Sequence, residues 1–231
     1  DEKVMTILPV KEFEEGKFII TATRKGTVKK TDLMAYSHPR QGGIIALTID
    51  EDDSLIAARL TDGSMDILMA SRNGKSIRFN ESDARPMGRT TRGVRGMMLE
   101  DGDRIIGMEV VSDATSSTLV SVTETGYGKR TSLSEYRVQS RGGKGIITIK
   151  TSSRNGSVVG QRPVDESDQV MIITRKGIVI KSGDDGGSGY APGDSKAGFV
   201  KLEDGTEVPR SYGSMTYALL KSFVFAGLTK D

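Results

Sequence analysis

A repeat of about fifty residues is the feature that most limits what this chain of 231 residues can fold into. Four segments rich in β-forming residues each meet a two-residue turn that ends in glycine, at Gly26, Gly74, Gly126 and Gly177. These glycines are 48, 52 and 51 residues apart. Because glycine accepts the positive φ of tight hairpin turns, each segment predicts a β-hairpin. The chain is therefore predicted to be a series of copies of one β unit.

Two further landmarks recur with the same period. Pairs of apolar residues followed by a small residue are centred at Met5, Ile56, Ile106 and Val159, at intervals of 51, 50 and 53 residues. Glycine-rich basic segments precede a second kind of apolar pair in residues 40–45, 92–98 and 141–147. Each unit then holds about four short strands, the size of a propeller blade. A single blade cannot bury both of its faces, so neighbouring blades must stack and bring the landmarks to equivalent places on a rim.

The composition excludes several classes of protein. The chain has no cysteine, which excludes disulfide scaffolds, thiolate zinc sites and thiol nucleophiles. Its single histidine, His38, makes a histidine metal site or a histidine relay improbable, and no metal or other cofactor is expected. No apolar run approaches the roughly 18 residues of a membrane-spanning helix, so no membrane partner is expected. The start at Asp1, without methionine or a signal-peptide pattern, suggests a fragment of a longer intracellular protein.

The net charge of +2 conceals blocks of opposite sign. Residues 71–95 contain seven basic and two acidic side chains, and residues 123–150 contain six and two. Acidic residues gather in 50–53, in 100–103 and in the last fifty residues. The acidic run 50–53 lacks the spaced oxygen ligands of a calcium loop and is interpreted as a turn. The fold could therefore sort basic and acidic blocks onto separate faces.

Several short sequence segments within the repeats resemble segments of a known protein family. Residues 139–145, Gln-Ser-Arg-Gly-Gly-Lys-Gly, preceded by Tyr136 and followed by a β segment, resemble the glycine-rich basic box in the C-terminal domain of the DNA gyrase A subunit. Residues 7–16, 26–31, 91–96 and 126–131 are similar to that domain as well, and the resemblance covers about residues 1–181. Two departures stand out. Ser140 replaces a second arginine of the family's best box, and the box lies in the third repeat here, whereas the family's strongest box is in the first blade.

The resemblance implies an all-β fold, an incomplete β-pinwheel over residues 1–181, which is a relative of the propeller whose blades exchange strands. It also implies a non-catalytic accessory domain of a bacterial, cytoplasmic, nucleoid-associated topoisomerase, which binds, bends and wraps duplex DNA and so supports ATP-dependent negative supercoiling. The remaining domains of the gyrase A subunit, together with the gyrase B subunit, would cleave DNA and use ATP and Mg²⁺, so this chain would hold no cofactor. Tyr36 and Tyr136 recur at one position of the repeat and are assigned no cleavage role.

The basic residues of the repeats are the candidate DNA contacts. Duplex DNA carries one charge per roughly 1.7 Å, so regularly spaced cations suit its backbone, and glycines let backbone N–H groups approach phosphate oxygens. No base-reading element is evident, so binding is expected to tolerate sequence and to prefer bendable DNA. The candidates in glycine-rich loops are Arg40, Arg89, Arg92, Arg95, Arg141, Gly142, Gly143, Lys144 and Gly145. Those in strands are Lys29, Lys30, Lys75, Arg78, Lys129 and Arg130. For Lys29, Lys30, Lys129 and Arg130, the alternative is that they only solubilise an exposed strand.

The last fifty residues do not follow the repeat as read from sequence. Residues 182–195 have the composition of a Gly/Ser/Asp linker, and residues 196–231 form an atypical tail. Apolar residues at three- and four-residue spacings predict a helix near 214–226. Two other functions remain open at this point. One is the C-terminal domain of the topoisomerase IV A subunit, which binds DNA without strong wrapping. The other is a squalene-cyclase-like or prenyltransferase-like protein, which the tail weakly resembles.

Overall fold

Antiparallel strands dominate the computed structural model, which describes residues 4–112, 117–165, 168, 172–173, 179–180, 199–201 and 207–209. The strands are β1 (Phe18–Thr23), β2 (Thr27–Asp32), β3 (Leu55–Thr61), β4 (Asp66–Ser71), β5 (Lys75–Asn80), β6 (Val94–Arg95), β7 (Ile105–Val111), β8 (Thr118–Thr123), β9 (Gly128–Ser132), β10 (Ile146–Ile147), β11 (Val158–Val164), β12 (Ile172–Ile173), β13 (Val179–Ile180), β14 (Phe199–Lys201) and β15 (Glu207–Pro209). Short 3₁₀ helices follow β2, β5 and β9, at Leu33–Tyr36, Glu81–Asp83 and Leu133–Glu135. Within the described ranges, no helix is long and apolar enough to cross a membrane.

The hairpins expected from the glycine turns are present. β1 pairs with β2, β4 with β5 and β8 with β9, with turns at Gly26, Gly74 and Gly126. All three glycines have positive φ, as the turn prediction requires. β12 pairs with β13, while the fourth turn glycine, Gly177, lies outside the described residues. The predicted all-β pinwheel is confirmed.

The sheets are completed by strands from the following repeat. The first sheet has the order β3-β1-β2-β6, the second β10-β5-β4-β7 and the third β11-β8-β9. β6 lies in the basic loop of the second repeat yet pairs with β2 of the first hairpin, through Thr27↔Arg95 and Val28↔Val94. β10 pairs in the same way with β5, one repeat earlier. This is the exchange of strands between blades that the resemblance implied.

The core lies between the sheets. One cluster joins Ile20 and Val28 of the first sheet to Ile67, Met69 and other residues of the second. A second cluster joins Leu68 of the second sheet to Leu119 of the third. The second sheet thus buries both of its faces, one against each neighbouring sheet, as stacked repeats must.

The sheets converge along one edge. β3 contacts β7, and β7 contacts β11, so these edge strands of successive sheets lie side by side. Glu109 of β7 links them, because it accepts from Arg59 of β3 at 3.1 Å and from Arg162 of β11 at 2.8 Å. The opposite edges of the first two sheets are β6 and β10, which belong to the basic loops.

The first apolar pair and the C-terminal tail both lie outside the three main sheets. The first apolar pair, at Val4 and Met5, forms no strand and is exposed, whereas its three later copies lie in β3, β7 and β11. In the tail, β14 and β15 pair with each other. The linker 182–195 and the helix predicted near 214–226 lie outside the described residues, as do the residues of the tail that resemble a cyclase.

Candidate nucleic-acid interface

Three glycine-rich loops carry most of the candidate cations. We define loop 1 as residues 40–48, loop 2 as residues 88–98 and loop 3 as residues 139–149. Loop 2 contains β6 and loop 3 contains β10, so both lie at the sheet edges opposite the converging strands. The relative placement of the loops decides whether their charges form one surface.

Loop 1 is bonded directly to loop 2. The backbone N–H of Thr48 donates to the carbonyl of Thr91 at 3.3 Å, and the Thr48 hydroxyl donates to the carbonyl of Thr90 at 2.8 Å. The Arg89 guanidinium donates to the carbonyl of Ile45 at 3.0 Å. These contacts place the ends of the two loops side by side.

Loop 2 is bonded to loop 3 in turn. The Gly142 N–H donates to the Gly96 carbonyl at 2.6 Å, and the Met98 N–H donates to the Gly143 carbonyl at 2.9 Å. The Arg141 guanidinium donates to the Arg95 carbonyl at 3.1 Å. The three loops therefore form one connected surface, which we call the basic ridge.

Four arginines and lysines of the basic ridge are exposed: Arg40, Arg92, Arg95 and Lys144. Arg92 is 3.0 Å from Asp50, and their side chains are 73% and 55% exposed, so this ion pair is weak and is easily exchanged for another anion. Among the described residues, Arg40, Arg95 and Lys144 form no ion pair and no side-chain hydrogen bond. These three cations are the most available for an external partner.

Arg141 is half-buried, although a surface position was expected. Besides Arg95, its guanidinium bonds to the Asp83 carbonyl at 2.8 Å, and its backbone N–H donates to the Asp83 carboxylate at 3.2 Å. These bonds hold loop 3 against the second repeat. Arg141 therefore fixes the shape of the basic ridge as well as adding charge to it.

Glycines let the loops dock closely on the neighbouring hairpins. Gly145 has φ +71°, and a Cβ there would come within 2.5 Å of the Ser76 carbonyl oxygen in β5. Gly93 has φ +101°, and its Cβ would meet the Val28 carbonyl oxygen in β2 at 2.4 Å. Any other residue would force the loop away from the strand. The glycines are thus required for the geometry of the basic ridge itself.

The exposed position expected for Lys29 and Lys30 is wrong, because both side chains are buried. Sequence alternation suggested an exposed strand, but β2 is paired on both sides and covered by the loops of the next repeat. The Lys29 ammonium donates to the carbonyls of Ala46, at 2.7 Å, and of Arg89, so it ties loop 1 to loop 2. Burial, aided by the charge of Arg89, lowers the pKa of Lys29 to about 8. Lys29 supports the basic ridge from beneath.

Lys30 has a different buried partner. Its ammonium is 3.0 Å from the carboxylate of Glu81, which is 0% exposed, and 4.4 Å from the ring centre of Phe18. Glu81 also accepts from the Thr61 hydroxyl and from the backbone N–H groups of Gly63 and Met65, at 2.7 to 3.0 Å. This network fixes the connection between β3 and β4. Lys30 is therefore structural.

The other strand candidates divide between structural and accessible positions. Arg78 is 2.6 Å from Asp66 and also donates to the carbonyls of Leu133 and Tyr136, so it joins the second and third repeats. Lys75 contacts Glu100. The half-buried Arg130 donates to the Thr118 hydroxyl at 2.7 Å. Lys129 is exposed and is 3.4 Å from the Thr148 carbonyl.

Two exposed arginines next to the basic ridge were missed. Arg85 and Arg137 each precede a residue that forms a parallel bridge to the preceding hairpin, Lys30↔Pro86 and, one repeat later, Arg78↔Val138. They are 52 residues apart, so they occupy equivalent places in successive repeats. The repeat spacing itself was the signal that could have found them.

Comparisons with known proteins agree with the fold. The family model described as the DNA gyrase C-terminal domain, beta-propeller, matches residues 17–62, 66–112, 117–165 and 168–182. The DNA gyrase A subunit of Salmonella typhimurium is 44% identical over 182 residues, which are 79% of this chain and 20% of that protein. The DNA gyrase A subunit of Staphylococcus epidermidis is 42% identical over 182 residues, 78% of this chain and 20% of the relative. The chain thus spans about a fifth of the length of these relatives.

Solved structures of similar shape belong to the same group of proteins. The C-terminal domain of DNA topoisomerase IV matches with a TM-score of 0.71 and 26% identity, over 76% of this chain and 55% of that one. A DNA gyrase A C-terminal domain matches with a TM-score of 0.66 and 25% identity, over 74% of this chain and 56% of that one. Together with the matched repeats, these findings show that the chain belongs to the DNA gyrase C-terminal domain, beta-propeller, family.

Proposed function

We propose that this chain binds, bends and wraps duplex DNA along the basic ridge. The observation that carries the proposal is the continuity of the three loops, which are hydrogen-bonded in series and present Arg40, Arg95 and Lys144 to solvent. A row of cations on adjacent blades matches a backbone whose charges also recur. The ridge has no helix that could enter a groove to read bases, so we expect affinity to depend little on sequence.

The cost of bending the duplex is a second reason to expect several phosphate contacts along the ridge. Bending 20–30 base pairs by 40–90° costs on the order of 1–6 kcal/mol, which several phosphate contacts must offset. The cations of one loop are too few for this, whereas three loops bonded in series bring the cations of successive repeats onto one surface. The loops are already bonded to one another within the chain, so they need not be brought together when the duplex arrives.

In the parent enzyme, the domain would act without chemistry of its own. We propose that it wraps a neighbouring DNA segment with fixed handedness for the gyrase A and B subunits, which use ATP to introduce negative supercoils. The relatives at 42% and 44% identity are gyrase A subunits, which favours this assignment. The match to a topoisomerase IV domain, at a TM-score of 0.71, favours the alternative of binding without strong wrapping. The location of such an enzyme would be the bacterial cytoplasm, on the nucleoid.

Salt dependence of DNA binding tests the proposal. We expect the affinity for a mixed-sequence duplex to fall steeply between about 50 and 200 mM salt, by roughly 10³–10⁵ if 6–10 phosphates are contacted. The triple variant Arg40→Ala, Arg95→Ala, Lys144→Ala should reduce the slope of log K against log salt by about three. The matched control is Lys11→Ala, Arg24→Ala, Arg104→Ala, which removes three exposed cations outside the ridge. A flat salt response, or an equal effect of the control, contradicts the proposal.

A further inference from the structure

The three main sheets meet at two junctions, and the central layers of these junctions differ in chemistry. The layer between the first and second sheets is apolar and buried throughout, with the cross-strand row Val28, Ala22 and Ala57 against the row Ile77, Met69 and Met108. Between the second and third sheets, the equivalent rows are Ser76, Ala70 and Gly107 against Lys129, Ser121 and Gln161. We call this second layer the polar layer.

Hydrogen bonds satisfy only part of the polar layer. The Ser76 hydroxyl donates to the side-chain carbonyl of Gln161 at 2.9 Å and accepts from the Thr148 hydroxyl at 2.8 Å. Ser121 Oγ and Gln161 Nε2 are buried and have no hydrogen-bond partner among the described residues. A buried polar atom without a partner costs free energy that it would recover in water. The polar layer is therefore less stable when closed than the apolar layer one repeat earlier.

The polar layer is also less tightly packed. Gly107 takes the place of Ala57, and a Cβ added to Gly107 would meet no atom within 4 Å. At the first junction, a Cβ added to Gly96 would come within 2.6 Å of both Met69 Sδ and Val28 Cγ1. Close packing thus supports the first junction, whereas space remains beside β7 at the second.

The apolar contacts of the second junction lie at the other end of the strands. Along β8, Ser121 is nearer to the hairpin turn at Gly126, and Leu119 is nearer to the start of the strand. Leu119 packs in one cluster with Leu68 and with Leu133, the first residue of the 3₁₀ helix that follows β9. The second junction therefore has a packed apolar end and a polar end at the hairpin turns.

The same backbone hydrogen bond ties both junctions at the turn end. The Ile105 N–H donates to the Arg24 carbonyl at 2.8 Å, and one repeat later the Val158 N–H donates to the Arg72 carbonyl at 2.9 Å. The second junction adds only the ion pair of Arg72 and Glu124, which is 3.8 Å long and partly exposed, and such pairs contribute little. The difference between the junctions therefore comes from their central layers.

We propose that the junction between the second and third sheets is a hinge, which pivots on its apolar end and opens at the hairpin turns to admit water to the polar layer. Opening gives the unmatched atoms of this layer water as a partner. Opening of the first junction would instead expose apolar side chains, which is unfavourable. One repeat of this chain can therefore tilt while the other two stay together.

The hinge acts on DNA binding, and this step rests on the proposed function. Loop 3 is paired to the second sheet through β10, whereas the exposed Lys129 belongs to the third sheet. The Lys129 ammonium is 3.4 Å from the Thr148 carbonyl across the junction. A phosphate that takes this ammonium favours the open state, because it binds that state better. A duplex that runs past loop 3 therefore opens the hinge, and the third repeat adjusts to its path.

Distances between pairs of nitroxide labels, measured by pulsed electron paramagnetic resonance, test the hinge. The chain has no cysteine, so labels attach only where cysteine is introduced. The pair Asn73→Cys, Thr125→Cys spans the second junction at its turns, and the equivalent pair Lys25→Cys, Asn73→Cys spans the first. The pair Ser82→Cys, Ser134→Cys reports on the pivot end, and all five positions are exposed. We expect the 73–125 distance distribution to be at least about twice as wide as the other two.

Removing the polar groups of the layer should close the hinge. The apolar-layer variant keeps side-chain volumes nearly constant and leaves Lys129 in place, with the substitutions Ser76→Ala, Ser121→Ala, Thr148→Val and Gln161→Met. We expect its 73–125 distribution to narrow to the width of the 25–73 distribution. A mixed-sequence duplex should lengthen the mean 73–125 distance in wild type, and the apolar-layer variant should lose this lengthening. The control Ser82→Ala, Ser153→Ala changes two exposed serines outside the layer and should behave like wild type.

The outcomes separate the hinge from the proposed function. Equal widths of the 73–125 and 25–73 distributions overturn the hinge, as does a 73–125 width that the apolar-layer variant does not change, and neither result affects salt-dependent binding. A wide 82–134 distribution also overturns it, because the third repeat then detaches as a whole. Absence of DNA binding by wild type overturns the proposed function, while a wide 73–125 distribution still supports the hinge in the free chain. A wide distribution that DNA does not shift overturns the coupling. Circular dichroism checks the fold, and Ser121→Ala with Gln161→Met replaces the fourfold variant if that variant unfolds.

Discussion

At the scale of single residues, the basic side chains of this chain have two separate tasks. Arg40, Arg95 and Lys144 face solvent, whereas Lys29 and Lys30 hold the loops and strands from inside. A buried cation is tolerated only where carboxylates or carbonyls surround it. The charge count of a repeat therefore overstates the number of cations that an external partner can reach.

Lys30 and Glu81 give the sharpest prediction for stability. Leu33 and Leu133 occupy the place of Glu81 in the first and third repeats, so among the three repeats that the structure describes in full this buried ion pair occurs at one junction. Lys30→Met leaves the Glu81 charge without its partner and should lower the free energy of unfolding by about 3–5 kcal/mol. Adding Glu81→Gln keeps the acceptor for the nearby N–H groups and should restore most of this loss. Chemical denaturation of both variants measures the coupling, and additive losses would contradict it.

The pKa of Lys29 gives a prediction in alkaline solution. Burial lowers that pKa from 10.5 to about 8 in the folded chain, so the unfolded chain binds more protons between these values. The free energy of unfolding should then rise with pH, by roughly 2 kcal/mol between pH 8 and pH 10 from this group. In Lys29→Met this contribution disappears. Denaturation curves of the two proteins across that range measure the difference, and parallel pH profiles would refute the assignment.

At the scale of elements, the close approach of loop to hairpin is the most sensitive contact. Gly145→Ala places a Cβ against the Ser76 carbonyl at a positive φ and should lower the free energy of unfolding by about 1–3 kcal/mol. Gly88→Ala in loop 2 is the control, since its φ is not positive and nothing lies within 4 Å of the added carbon. Thermal or urea unfolding compares the two. Equal stabilities would mean that loop 3 does not need its close packing on β5.

The sequence predicts those elements whose conformation is determined by residues close together in the chain. An X-Gly turn between β-forming residues specifies a hairpin wherever it occurs, so the hairpins around Gly26, Gly74 and Gly126 were predictable within a residue. The burial of Lys29 was not, because it depends on loops some 17 and 60 residues away in sequence. A β segment was expected after the box at 139–145, where β10 lies, but β6 was missed, and for both strands the partner in the preceding repeat was not predicted, since nothing within two residues specifies it. The cations of the loops were identified, but not which of them support the ridge.

At the scale of the whole molecule, the proposed wrapping predicts that the bound duplex follows a path with one handedness. Ligation of nicked circles in the presence of the chain should therefore shift the linking number in one direction, since a wrapped duplex traps a writhe of fixed sign. The variant Arg40→Ala, Arg95→Ala, Lys144→Ala should reduce the shift at equal protein concentration. Topoisomer distributions on agarose gels measure both. Binding without any shift would favour the topoisomerase IV alternative over wrapping.

Because β6 and β10 each pair with the sheet of the preceding repeat, the segments of successive sheets alternate along the chain. The first sheet includes Val94 and Arg95 of β6. In the chain, the hairpin of the second sheet, Asp66–Asn80, lies between β6 and the other strands of the first sheet. The second sheet likewise encloses the hairpin of the third before it reaches Ile146. Among the three main sheets formed by β1–β11, no single cut releases one whole sheet without dividing another. A nascent chain can complete the first and second sheets only after the next hairpin has left the ribosome, so loss of β6 or β10 would disturb two adjacent repeats together.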